Sequence, residues 1–107
     1  MQDVPVHVIP CNEAGHISVD APRRTMIGLG GSIFPAIWSF QLALRARGLG
    51  SCLTTLHLAY DKEVADLLGI PETMAQIALL PVAYTKGIDF KPANRGPIDD
   101  IVHWESW

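Results

Sequence analysis

The chain has 107 residues, 49% hydrophobic and 18% charged, with a formal net charge of −3. That size and apolar content fit one globular domain, and 8 Lys plus Arg against 11 Asp plus Glu exclude the basic stripe of a nucleic-acid binder. Gln41, Arg45 and Arg47 interrupt the best apolar run short of the ~18 residues of a membrane span, and the first residues lack the basic start of a signal peptide, so no membrane is expected and a cytoplasmic location is.

Val4, Val6 and Val8 alternate with Pro5 and His7, and Ile9 follows, a strand pattern at the start of the chain. Opening on a core strand leads us to expect that an N-terminal segment is absent. Residues 10 to 31 hold no sustained period and several turn formers, so they read as one long loop. The Gly-Leu-Gly-Gly at 28–31 has neither a third spaced glycine nor Gly-Lys-Ser/Thr, and it reads as a flexible entry to a helix rather than a phosphate cradle.

From Ser32 to Arg47 the sequence predicts a long helix. Ser32 would be its N-cap, Pro35 would sit in its first turn, Arg45 and Arg47 would suit the dipole of its last turn, and Gly48 would end it. Ile33, Ile37, Phe40 and Leu44 form one apolar stripe; Phe34, Trp38 and Leu42 form another. A helix apolar on two sides needs cover on both, one from this chain's sheet and one from a helix of another subunit.

Ser51 to Leu56 then reads as a short buried strand, and Asp61 to Leu68 as a helix with Val64, Leu67 and Leu68 facing inward and Gly69 with Pro71 stopping it. Residues 74 to 84 read as a strand buried on both faces, in which Pro81 must occupy a bulge or an unpaired position. Residues 86 to 107 read as an extended tail anchored by Phe90, Ile98, Val102, Trp104 and Trp107.

Chemistry is sparsely marked. His7, His16, His57 and His103 are scattered with no metal-ligand spacing, and Ser32, Ser39 and Ser51 lie in no Gly-x-Ser-x-Gly context. Cys11 and Cys52 read as free thiols, Cys52 as a small core residue. Arg95, between Asn94 and Gly96-Pro97, is either a solvated surface charge or a fork for phosphate oxygens.

Taken in order, the run from Pro35 to Leu56, EVADLLGIPE at 63–72, IALLPVAY at 77–84, and Arg95-Gly-Pro followed by VHWESW resemble the C-terminal half of the nitroreductase family. The resemblance implies an α+β fold, a truncated α/β sandwich with a long central helix packed on a small mixed or antiparallel sheet, residues 1–107 forming a single domain. It implies a homodimer through the 32–47 helix and FMN at the dimer interface, with electrons passing from NAD(P)H through the flavin to a nitroaromatic, a quinone or a similar acceptor.

Carried over by position, Leu53 and Thr54 would lie against the flavin ring, backbone groups of Thr55 and Leu56 would face its N5/O4 edge, and Arg95 would hold the phosphate. Ile33 and Phe34 would border the substrate pocket. No catalytic side chain is needed where the flavin carries the chemistry. Two departures separate the chain from the family pattern. The N-terminal arginines that contact the phosphate are missing, and Trp38-Ser39 replaces a polar Gln-Asn pair. The alternative is a non-catalytic dimerisation module, a truncated remnant of the family that binds no flavin.

Overall fold

The computed structural model describes residues 2–13, 21–87 and 89–107. His16 lies outside them. The elements in chain order are β1 (Val6–Val8), β2 (Cys11–Asn12), α1 (Arg23–Ala46), β3 (Leu49–Ser51), α2 (Asp61–Leu68), β4 (Ala75–Gln76) and β5 (Leu80–Tyr84), with 3₁₀ turns at Leu56–Tyr60 and Ile98–Asp100.

β5 is the central strand of an antiparallel sheet ordered β1-β5-β3. Its register sets Val6 opposite Val82 and Val8 opposite Leu80 on one side, and Leu49 opposite Tyr84 and Ser51 opposite Val82 on the other. β2 and β4 form a second antiparallel pair. The sheet offered as mixed or antiparallel is therefore antiparallel. Pro81 lies within β5 opposite His7, in the register of the β1 ladder rather than at the bulge or unpaired position expected of it; on the other side β3 ends opposite Val82, one residue short of the proline. The 74–84 run does not form one strand. It breaks at residues 77–79, where Ile77 N–H turns to Pro10 O and Leu79 exchanges two hydrogen bonds with Thr54.

α1 begins nine residues earlier than Ser32. The chain leaves Pro22 in an extended conformation, and Thr25 N–H closes the first turn on Pro22 O at 2.8 Å. The glycines at 28, 30 and 31 are thus helical, each at about 1 kcal/mol relative to Ala, which is why the segment reads as loop from sequence. Ser32 is not a cap: inside the helix its hydroxyl donates back to Leu29 O at 2.9 Å. Pro35 also lies inside the helix rather than in its first turn. The C-terminal end is as expected, with Arg45 in the last turn and Gly48 in the left-handed region at φ +76°. Over its full length α1 is apolar and long enough to cross a membrane, with a mean hydropathy of 1.4 over its most apolar window, a property that interruption at Gln41 and Arg45 had been expected to remove.

Ile37 of α1 packs with Ala78 and Leu80, and Val8, Ile33 and Ile77 surround them. This is the buried cluster among the described residues, and it takes Ile33 and Ile37 from one of the two predicted helix stripes, while Phe40 of that stripe is exposed. The other stripe is open, with Trp38 63% exposed. α2 has its predicted bounds, stopped by Gly69 at φ +66°, but Leu67 is 83% exposed and Leu68 is also exposed, contrary to the inward face expected of them. The tail's Phe90, Ile98, Trp104 and Trp107 are exposed rather than anchored. The radius of gyration is 16.9 Å, against about 13 Å for a compact domain of this length; the molecule is a plate 21 Å thick with apolar faces uncovered.

Candidate functional site

The chain after Gly48 is shaped by close backbone approach. A Cβ at Gly50 would collide with Thr85 Cγ2, so a larger residue there would require Thr85 or the strand to shift. The strand predicted over Ser51 to Leu56 lies two residues upstream, at Leu49–Ser51, and residues 52–56 run out of the sheet. Thr54 tethers this exit: its N–H donates to Leu79 O at 3.0 Å and its carbonyl accepts from Leu79 N–H at 2.8 Å. Thr54 Oγ1 accepts from Leu56 N–H at 3.3 Å, and Thr55 O accepts from Leu58 N–H at 3.0 Å to open the 3₁₀ turn.

Two kinds of surface are left over. The N–H of Thr55 has no partner among the described residues. Leu53 and Leu56 are exposed on either side of it, Leu56 by 78%. The four residues predicted from 53 to 56 thus stand together as an apolar ledge with one unused donor. Arg95 is exposed and has no ion pair or hydrogen bond among the described residues. Ile33 and Phe34 diverge: Ile33 is half-buried against the core, while Phe34 points outward.

Sequence reasoning missed a cleft of about 530 Å³ that begins at Cys52, where the ledge starts. Trp38, Leu42 and Arg45 of α1 form one wall, residues 49–52 the floor, and Phe90 the far edge. Gln41 Nε2 donates to Ser51 Oγ at 3.1 Å, joining helix and strand at its base. The Arg45 guanidinium lies 4.5 Å from the Phe90 ring centroid. The one signal in the sequence was Gln41, a polar residue in the middle of an apolar helix. Cys52 is exposed here, not a core residue. Both cysteines are free, and burial pushes the Cys11 thiol above its ordinary pKa.

His57, next to the ledge, was also missed. Among the described residues neither ring nitrogen has a hydrogen-bond partner although both are shielded from solvent, and Gln76 Oε1 is in the same condition. Burial lowers the His57 pKa, and the Asp61 carboxylate opposes that shift. Gln76 Nε2 donates to Asp61 O at 2.7 Å, tying β4 to the start of α2. Among the described residues no group of three His, Cys, Asp or Glu side chains could hold a metal ion.

A thin antiparallel sheet carries one long helix, with an open ledge where a strand leaves the sheet. The sequence model of the nitroreductase family matches residues 1–84, and the chain belongs to that family, a family of flavin oxidoreductases. No curated protein matches it. Among solved structures it is similar to a BluB-like flavoprotein from Clostridium difficile 630, with a TM-score of 0.69 and 22% identity over 96% of this chain. At that identity the likeness shows the fold, an α+β nitroreductase-like architecture. The chain spans 55% of that protein's length.

Proposed function

We propose that the protein acts as an FMN-linked oxidoreductase of nitroreductase type, taking electrons from NAD(P)H and passing them to a nitroaromatic, a quinone or a similar acceptor. The observation that carries this reading is the ledge at residues 53–56: two exposed leucines flank a backbone N–H left unused because Thr54 takes both hydrogen bonds of the bridge to Leu79. An isoalloxazine ring needs an apolar plane and a donor at its polar edge, and the ledge offers both. Bound FMN supplies hydride acceptance and electron transfer at its ring.

The chain's own part is placement. Leu53 and Thr54 present a surface to the ring, Thr55 N–H and the Leu56 backbone face its N5/O4 edge, and exposed Phe34 excludes water from the acceptor side. Arg95, the exposed guanidinium of the tail, suits a phosphate bidentately. The ledge is open to solvent along one side, so its second wall comes from a partner copy, docked through the uncovered stripe of α1 around Trp38. Cytoplasmic residence agrees with the free state of Cys11 and Cys52.

Titrating FMN into the purified protein by fluorescence quenching tests this. Arg95→Ala should weaken FMN about ten- to a hundredfold, the equivalent of losing a charge-assisted hydrogen bond of about 1.5–3 kcal/mol, while riboflavin, which has no phosphate, binds both forms alike. Equal FMN affinities remove Arg95 from the site. A protein that neither absorbs visible light as purified nor quenches FMN is the flavin-free dimerisation module, which the open stripe of α1 also fits.

A further inference from the structure

We propose that the cleft between α1 and strands β3 and β5 binds an aromatic carboxylate, its rings against Trp38 and Phe90 and its carboxylate on Arg45. The site is separate from the ledge, because none of residues 53–56 lines it. It therefore stands without the flavin reading.

Size and wall chemistry set the body of the ligand. A volume of about 530 Å³ lies within the roughly 300–1,000 Å³ of small-molecule sites. Trp38 and Leu42 of α1 and Phe90 of the tail give it apolar walls. Flat aromatic walls favour a flat aromatic occupant, which stacks on them or packs edge to face. Polar side chains of the base are already engaged within the chain: Gln41 Nε2 donates to Ser51 Oγ at 3.1 Å, and the Thr85 hydroxyl donates to Gly87 O at 2.6 Å. The base thus suits an apolar ring rather than a sugar or a peptide backbone.

Charge sets the head group. Arg45 is the one charged side chain among the described lining residues, with no Asp, Glu or Lys beside it. It lies in the last turn of α1, where the helix end carries about half a negative charge. The full charge of the guanidinium outweighs that. Its central carbon lies over the Phe90 ring, 4.5 Å from the centroid. A guanidinium held on a ring by its face carries its N–H donors at its edge. That edge is a fork matching both oxygens of a carboxylate.

Cys52, exposed in the cleft, reports occupancy. Alkylation by iodoacetamide is followed by mass spectrometry with and without 1-naphthoate, and Cys11, which does not line the cleft, is the reference in the same molecule. At roughly ten times its dissociation constant, naphthoate should slow Cys52 about tenfold and leave Cys11 unchanged. In calorimetric titration of the parent, 1-naphthoate should bind about tenfold or more tightly than uncharged 1-naphthalenemethanol. Arg45→Gln should remove that difference, while Arg47→Gln, two residues on but outside the cleft, should keep it. Equal affinities of the two ligands in the parent overturn the proposal whatever the variants do. So does naphthoate that binds without slowing Cys52, or that slows Cys11 alike. With no ligand present, alkylation of Cys52 that slows as protein concentration rises puts a second copy in the cleft and also overturns it.

Discussion

Gly50 gives the most direct test of how the site is held. Its missing Cβ is what lets β3 approach Thr85, and the steric conflict of any larger residue is with a single atom, Thr85 Cγ2; the next nearest atoms, Ala83 O at 3.8 Å and Thr85 Cβ at 3.9 Å, are ordinary contacts. Gly50→Ala forces one of two responses. Either the strands part, an overpacking cost of about 1–3 kcal/mol, or Thr85 rotates and gives up the hydrogen bond from its hydroxyl to Gly87 O, a loss of about 1 kcal/mol. Against this stands a gain of about 0.4–1 kcal/mol, because Ala restricts the unfolded chain and Gly50 does not have a positive φ. The net expected loss is about 0–0.6 kcal/mol if Thr85 rotates and up to about 2.6 kcal/mol if the strands part. Thr85→Ser removes the offending methyl and keeps the hydroxyl, so in that background Gly50→Ala should be neutral or stabilising. Urea unfolding of the four proteins, at one protein concentration and followed by tryptophan fluorescence, gives the coupling energy. A coupling below about 0.5 kcal/mol refutes the steric account of this position.

Trp38→Glu should convert the proposed dimer to monomer or aggregate, since burying a side chain of this size contributes roughly 1.5–3 kcal/mol in each copy; a light-scattering mass unchanged from the parent contradicts it. Under native conditions Cys52 should alkylate faster than Cys11, because Cys52 is exposed while burial raises the Cys11 pKa; equal rates by mass spectrometry would count against the placement of both. His57 has a folded pKa below its unfolded value, so the unfolded chain takes up the proton first as pH falls through about 6.5. Stability should therefore drop across that range and level off below the folded pKa. His57→Gln should flatten the dependence in chemical denaturation between neutral and mildly acidic pH, and superimposable curves would fail the reasoning.

What the sequence made legible followed from local chemistry. The bounds of α2 came from its acidic first turn and Gly69, and the end of α1 from Gly48 in the left-handed region. The open stripe around Trp38 followed from period alone. The start of α1 was hidden because three glycines of poor helix propensity sit in its first half, and propensity is a weak prior against tertiary context. The strand after Gly48 was displaced because its pairing is set by register with β5, far away in sequence. The ledge was found through resemblance. The cleft was not, because it is assembled from α1, β3 and Phe90, which only the fold brings together.

The misreading of Leu67, Leu68 and the tail aromatics has one physical cause. Amphipathic patterning reports that a face will be covered, not which chain covers it. Among the described residues four hydrophobic side chains, Ile37, Ala78, Leu80 and Val82, are buried. The apolar faces left open on the plate are the surface that the proposed dimer would cover. The ledge at residues 53–56 lies beside the same uncovered surface, touching the cleft through Cys52. In the proposed dimer, covering that surface would both stabilise the fold and wall the ledge. Flavin affinity should accordingly rise with protein concentration in step with dimer formation, and the same should be seen for riboflavin, since the effect acts on the ring and not on the phosphate. A flavin affinity independent of protein concentration across the dimer transition would separate the ledge from the interface and break this argument.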